Sequence, residues 1–169
     1  MKFAVRNLLL SLSVIALALF VVPSAHAQKN DPPSGKFGIG AYVASGIPGI
    51  PVPSGLSGTY AINSDMQVGS YLSLAVASSD GASATTFLLA PYFRYLFNST
   101  ASPYVQGGFS VITGGGSTTA GIFLGGGLSY YMSEHFGVHT DVDIIDVEFS
   151  PSSVVFGWAN LRAGMMWFF

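Results

Sequence analysis

From Lys36 to the last residue, apolar and polar side chains alternate with a period of two, the mark of β-strands with two distinct faces. The stretch 154–169 shows it most plainly. Ala159, Leu161, Ala163, Met165, Trp167 and Phe169 form one face, and Asn160, Arg162, Gly164, Met166 and Phe168 the other. Seven earlier stretches repeat the pattern and predict strands at 36–44, 56–62, 66–76, 86–97, 103–112, 121–132 and 136–145. Pro91 interrupts the fourth, where it cannot donate to a ladder, so a local bulge is expected there.

Between the strands, turn chemistry predicts short connections at 63–65, 98–102 and 133–135. Longer loops are expected at 45–55, 77–85, 113–120 and 146–153, rich in Gly, Pro, Ser and Thr. Eight strands with short turns at one end and longer loops at the other is the layout of a membrane β-barrel. The aromatics agree. Phe37, Tyr60, Tyr95, Phe97, Tyr130, Phe136, Trp167 and Phe169 share the apolar face and fall at the short-turn end, as an interfacial girdle requires. The fold class read from the pattern is all-β, an eight-stranded antiparallel up-and-down transmembrane β-barrel over 36–169.

Composition narrows the setting. Lys2 and Arg6 precede an apolar run from Leu8 to Val22, and Ala25-His26-Ala27 has the small-x-small form of a cleavage site. Residues 1–27 therefore read as a secretory signal peptide, and 28–35 as a flexible lead-in. Charged residues are 8% of the chain, against about 25% in ordinary soluble domains. Beyond the signal no apolar run approaches the length of a membrane helix. Low charge, export and the lack of a spanning helix together point to a barrel in lipid. With four basic and eight acidic residues after position 27, no nucleic-acid partner is expected. There is no cysteine, hence no disulfide.

The stretches Pro91-Tyr92-Phe93-Arg94-Tyr95, Pro103-Tyr104-Val105 and Gly125-Gly126-Gly127-Leu128-Ser129-Tyr130, with the terminal Phe169, carry a resemblance. The chain resembles the small eight-stranded outer-membrane barrels of the OmpA-transmembrane-domain and OmpX type, over about 36–169. The resemblance implies an outer membrane of a Gram-negative bacterium, periplasmic termini, contact with outer-membrane lipids and a monomeric state. It also implies that Phe169 is an assembly signal, read by the barrel-assembly machinery.

Candidate chemistry is confined to the polar faces. Arg94, His139, Asp141, Asp143, Asn160 and Arg162 all point inward by parity. With the last loop at 146–153, Ile145 pairs with Val154 and Asn160 falls opposite His139. Arg162 then lies one diagonal step from His139, and a small change in loop length brings it to Asp141. Charges inside a narrow barrel must pair, because desolvation costs roughly several kcal/mol per ion. The expectation is a structural polar network.

His139 beside Asp141 suggests a base and its orienting carboxylate. No serine stands in a convincing relation to them, and Thr140 faces lipid by parity. Neither catalysis nor a metal or cofactor site is expected. Gly114–Thr119 lacks the lysine of a phosphate loop, and Asn98-Ser99-Thr100 reads as turn chemistry. The function expected is that of a small non-enzymatic outer-membrane protein with a structural or surface-interaction role. The alternatives are a narrow ion or small-solute channel, and a soluble lipocalin-like barrel for an apolar ligand.

Overall fold

In the computed structural model, the described residues are 32–45, 54–79, 82–97, 101–150, 153–157 and 160–169. The expected signal peptide, the first lead-in residues, the centre of the loop 45–55 and the triplet Asn98-Ser99-Thr100 lie outside them. Among the described residues nine strand segments follow one another: β1 (Phe37–Ser45), β2 (Gly55–Ala61), β3 (Met66–Ser79), β4 (Ala82–Leu96), β5 (Ser102–Gly114), β6 (Ser117–Tyr131), β7 (Phe136–Ser150), β8 (Ser153–Gly157) and β9 (Asn160–Phe168). β8 and β9 both pair with β7 and form successive parts of one stave. Every neighbouring pair is antiparallel. β1 meets β9, with Ile39 opposite Trp167, so the sheet closes into a barrel of eight staves.

The alternation decides the orientation of the side chains. Ile39, Leu72, Leu74, Phe93, Phe109, Leu124 and Met165 are all exposed on the outer surface, whereas Arg94, Asp141 and Arg162 are 2%, 2% and 6% exposed inside it. This inverts a water-soluble barrel and excludes the lipocalin-like alternative. Eight staves enclose a space that side chains can just fill.

The inside is less uniformly polar than parity alone suggests. Tyr42, Leu88, Ala90 and Phe123 form one buried apolar layer, and Ala61, Leu96, Tyr131, Met166 and Phe168 another. The ionic residues lie between them.

The turns at 63–65 and 133–135 are where the sequence places them. Asn63 Oδ1 accepts from the N–H groups of Asp65 and Met66, both at 2.8 Å. Ser133 Oγ does the same for His135 and Phe136, at 3.2 and 3.1 Å. Both use a side-chain oxygen to replace a backbone partner across a tight reversal. At this end the aromatic belt is in place. Phe37 pairs with Tyr60, Phe136 with Trp167, and the His135 ring stacks on Trp167 at 6.2 Å.

At the other end three of the four expected long loops, those at 77–85, 113–120 and 146–153, give way largely to strand. β3 and β4 stay paired to Ser79 and Ala82, and β7 and β8 to Ser150 and Ser153. β5 and β6 close through a two-residue turn, Gly115-Gly116, with φ of 58° and 80°. Positive φ at both central residues is the hairpin geometry that matches strand twist, and glycine takes it without a steric penalty. Ser, Thr and Gly in 77–85 and 113–120 suggested loops by composition, but cross-strand hydrogen bonds override that weak preference. β3 to β7 run 13 to 15 residues, against about 9–11 needed to cross a bilayer, so their hairpins overhang at this end.

The bulge also falls elsewhere than expected. Around Pro91 the pairs Leu89–Val111 and Tyr92–Gly108 keep a constant register, with only the ladder interrupted. The register shifts instead between Leu124 and Gly125, where β7 carries Ile144 as an extra residue. Pro91 therefore gives up hydrogen bonding without changing the residue count. Ile144 changes the count, and with it the side-chain parity beyond it.

Candidate functional site

Asp141 of β7 is the centre of the lumen. Its Oδ1 accepts from Arg162 Nε at 2.7 Å and Gln106 Nε2 at 3.1 Å. Its Oδ2 accepts from the hydroxyls of Tyr71 and Tyr104, each at 3.1 Å. Four donors satisfy one buried carboxylate, as its desolvation demands. Arg162 continues to Asp143, donating from Nη2 to Oδ1.

Arg94 comes from the far wall, since β4 and β9 stand on opposite sides of the eight-stave ring. Its Nη2 donates to Tyr71 Oη at 3.0 Å and Gln106 Oε1 at 3.1 Å, and lies 4.0 Å from Asp141 Oδ2. Its guanidinium lies over the Tyr104 ring at 4.0 Å, and that of Arg162 over Tyr71 at 4.6 Å. Aromatic faces thus replace part of the hydration both cations lose. The result is a continuous layer of hydrogen bonds across the barrel.

Five of the six expected interior residues contribute to this layer or border it. Arg94, Asp141, Asp143 and Arg162 form its ionic part. Asn160 sits beside it and donates to Asp146 Oδ2 at 3.0 Å. The register differs from the one expected: Val154 pairs with Phe149 rather than Ile145, Asn160 with Asp143 rather than His139, and Arg162 directly with Asp141. The cause is the connection after β7. It closes as a hairpin at Ser150–Ser153 instead of the longer loop, which slides the last stave by four positions.

His139 is apart from the network. It faces Gly164 and Ser129 in the ladders, and its Nε2 has no hydrogen-bond partner among the described residues. Ser129 is the serine that sequence reasoning did not place beside it. The pair gives no usable active site: Ser129 is 3% exposed, and the cavity there has only about 10 Å³ of room for the centre of a water molecule. That is about the least that holds one water, and far too small for a substrate. Thr140 is exposed on the outside, as its parity requires. Among the described residues, no group of three His, Cys, Asp or Glu could hold a metal ion.

Tyr71, Tyr104 and Gln106 were missed as functional partners. Tyr71 and Gln106 lie on the inner face by the same alternation that selects Arg94. Charge singles out the arginines and aspartates, whereas these three neutral side chains carry five of the six hydrogen bonds that Asp141 and Arg94 make among the described residues.

No family model and no curated protein matches the sequence. Solved structures do match. The N-terminal β-barrel domain of Pseudomonas aeruginosa OprF superposes with a TM-score of 0.57 at 18% identity, over 80% of this chain and 98% of that one. Neisserial surface protein A gives 0.50 at 17% identity, over 79% of this chain and 95% of that one. The fold is that of the small eight-stranded outer-membrane barrels. At such identity the likeness concerns backbone architecture. The lumen chemistry has to be judged from this chain's own side chains.

Proposed function

We propose that the chain is a small, non-enzymatic protein of a Gram-negative outer membrane, with a structural or surface-interacting role. One observation carries this reading: the outer surface is a continuous apolar belt bounded by aromatics, while Arg94, Asp141, Asp143 and Arg162 are sealed inside. Exposed apolar area of that extent calls for lipid, not water. The overhanging hairpins β3–β4, β5–β6 and β7–β8 form the end that faces out of the cell, and the aromatic-rimmed turn end faces the periplasm. Phe169 supports a role in assembly, because its ring is exposed at the belt's lower edge while its N–H donates to Phe37 O at 2.8 Å.

The interior supports a plugged barrel rather than a channel. The hydrogen-bonded layer spans the lumen, with cavities of only about 30 and 10 Å³ for water centres on either side. Cell fractionation with labelling of cysteines introduced in the hairpins tests compartment and orientation together. The protein is expected in the outer membrane, with heat-modifiable gel mobility and hairpins labelled from outside intact cells. Recovery in the soluble periplasm refutes the reading, and discrete conductance steps in planar bilayers refute the plugged lumen.

A further inference from the structure

The ionic layer leaves a chamber between itself and the overhanging hairpins. Asp143, Asp146 and Glu148 line it along β7, with Tyr42, Ile112 and Phe123 on the other walls. The bulge at Ile144 creates this arrangement. An unbroken strand would carry the inward parity from Asp143 to Ile145 and turn Asp146 outward. With the extra residue, Asp146 stands opposite the inward-facing Phe123, and Glu148 follows on the same face. Glu148 is half-exposed and gives the chamber an edge at solvent.

The chamber is electrically incomplete. Three carboxylates face the single guanidinium of Arg162, which is already engaged by Asp141 and Asp143. Asp146 has a neutral partner in Asn160. A second, independent feature is Tyr42. It is only 3% exposed, lines the same space, and its hydroxyl has no partner among the described residues. A buried hydroxyl without a partner gives up its hydrogen bonds to water and gains none in return, so such groups mark places where a partner belongs.

We propose that the chamber binds a small protonated primary amine. Its –NH₃⁺ has three donors and no acceptor, which complements carboxylates that only accept and a hydroxyl oxygen able to accept. The Ile112 and Phe123 side chains offer apolar contact for a short alkyl stem. A divalent ion fits less well, because the carboxylates do not converge as a ligand set. The room for water centres, about 30 Å³, limits the ligand to one or two carbons beyond the nitrogen.

The test uses the full barrel chain refolded in detergent micelles, with methylammonium chloride as the probe and sodium chloride at equal ionic strength as the control. Amide NMR shifts of β7 are expected to move saturably with methylammonium and not with sodium. Tyr42→Phe, which keeps the ring, and Glu148→Gln are each expected to weaken the affinity about tenfold, the scale of one hydrogen bond to a charged group. Folding of each variant is read from its heat-modifiable mobility, so a Glu148→Gln chain that fails to fold leaves Tyr42→Phe to decide. Equal shifts with sodium, shifts that never saturate, or an affinity unchanged in a folded variant overturn the proposal.

Discussion

Replacing Asp141 with asparagine probes the lumen at its most connected point. The substitution keeps the shape and removes the charge. One side-chain oxygen becomes an NH₂ group that faces donors: either Arg162 Nε and Gln106 Nε2, or the hydroxyls of Tyr71 and Tyr104. Arg94 and Arg162 remain buried, and Asp143 alone faces them as an anion within the layer. Breaking a buried ion pair by removing one partner costs about 3–5 kcal/mol, chiefly because the remaining charge is left without compensation. With a urea slope of about 2 kcal/mol/M, the unfolding midpoint falls by about 1.5–2.5 M.

The assay is reversible urea unfolding in lipid vesicles, followed by tryptophan fluorescence and by the gel-mobility shift. A double-mutant cycle with Arg162→Met isolates the pairwise part, and coupling of at least about 1 kcal/mol is expected for two directly bonded groups. A midpoint for Asp141→Asn within about 0.3 M of wild type refutes the argument, since by the same slope that is under 1 kcal/mol. Additive effects in the cycle refute it equally.

Other outcomes follow from the same geometry. Asp143→Asn should cost less, about 1–3 kcal/mol in the same assay, because Arg162 keeps its bond to Asp141. Gly127→Ala should destabilise by about 1–3 kcal/mol as an overpacking change, since a Cβ there would lie 2.7 Å from the Tyr104 hydroxyl. Gly58→Ala, whose nearest neighbour would be the Phe37 ring at 3.8 Å, should be close to neutral by the same measurement. Leu72→Arg, on the outer surface between Leu56 and Leu89, should cost about 2–4 kcal/mol in vesicles, the range for arginine near the bilayer midplane. Phe169→Ala should refold normally in detergent yet reach the outer membrane of cells in lower amount, measured by quantitative blotting of membrane fractions.

The period-two alternation from Lys36 onward determined the strand count, the fold class and the direction of nearly every side chain. That follows because strand parity is local: each residue's face is set by its neighbours in sequence. Arg94, Asp141, Asp143 and Arg162 could be named as interior residues for the same reason. The aromatic belt was legible too, because the short turns fix the height of each strand's first residues.

Register and partners were beyond the sequence. Whether Arg162 meets Asp141 or His139 depends on how far β7 and β8 remain paired before they reverse, and glycine, serine and threonine give only a weak local preference on that point. The bulge at Ile144 shows in the sequence only as a slip of the polar positions from odd (Asp141, Asp143) to even (Asp146, Glu148) across Ile144-Ile145, which reads equally as the start of a loop, yet it decides that Asp146 and Glu148 enter the lumen. The meeting of Arg94 with Tyr71, Gln106 and Asp141 depends on closure of the ring. Two opposite walls of the barrel become neighbours only when β1 pairs with β9 and long side chains can reach across a narrow interior.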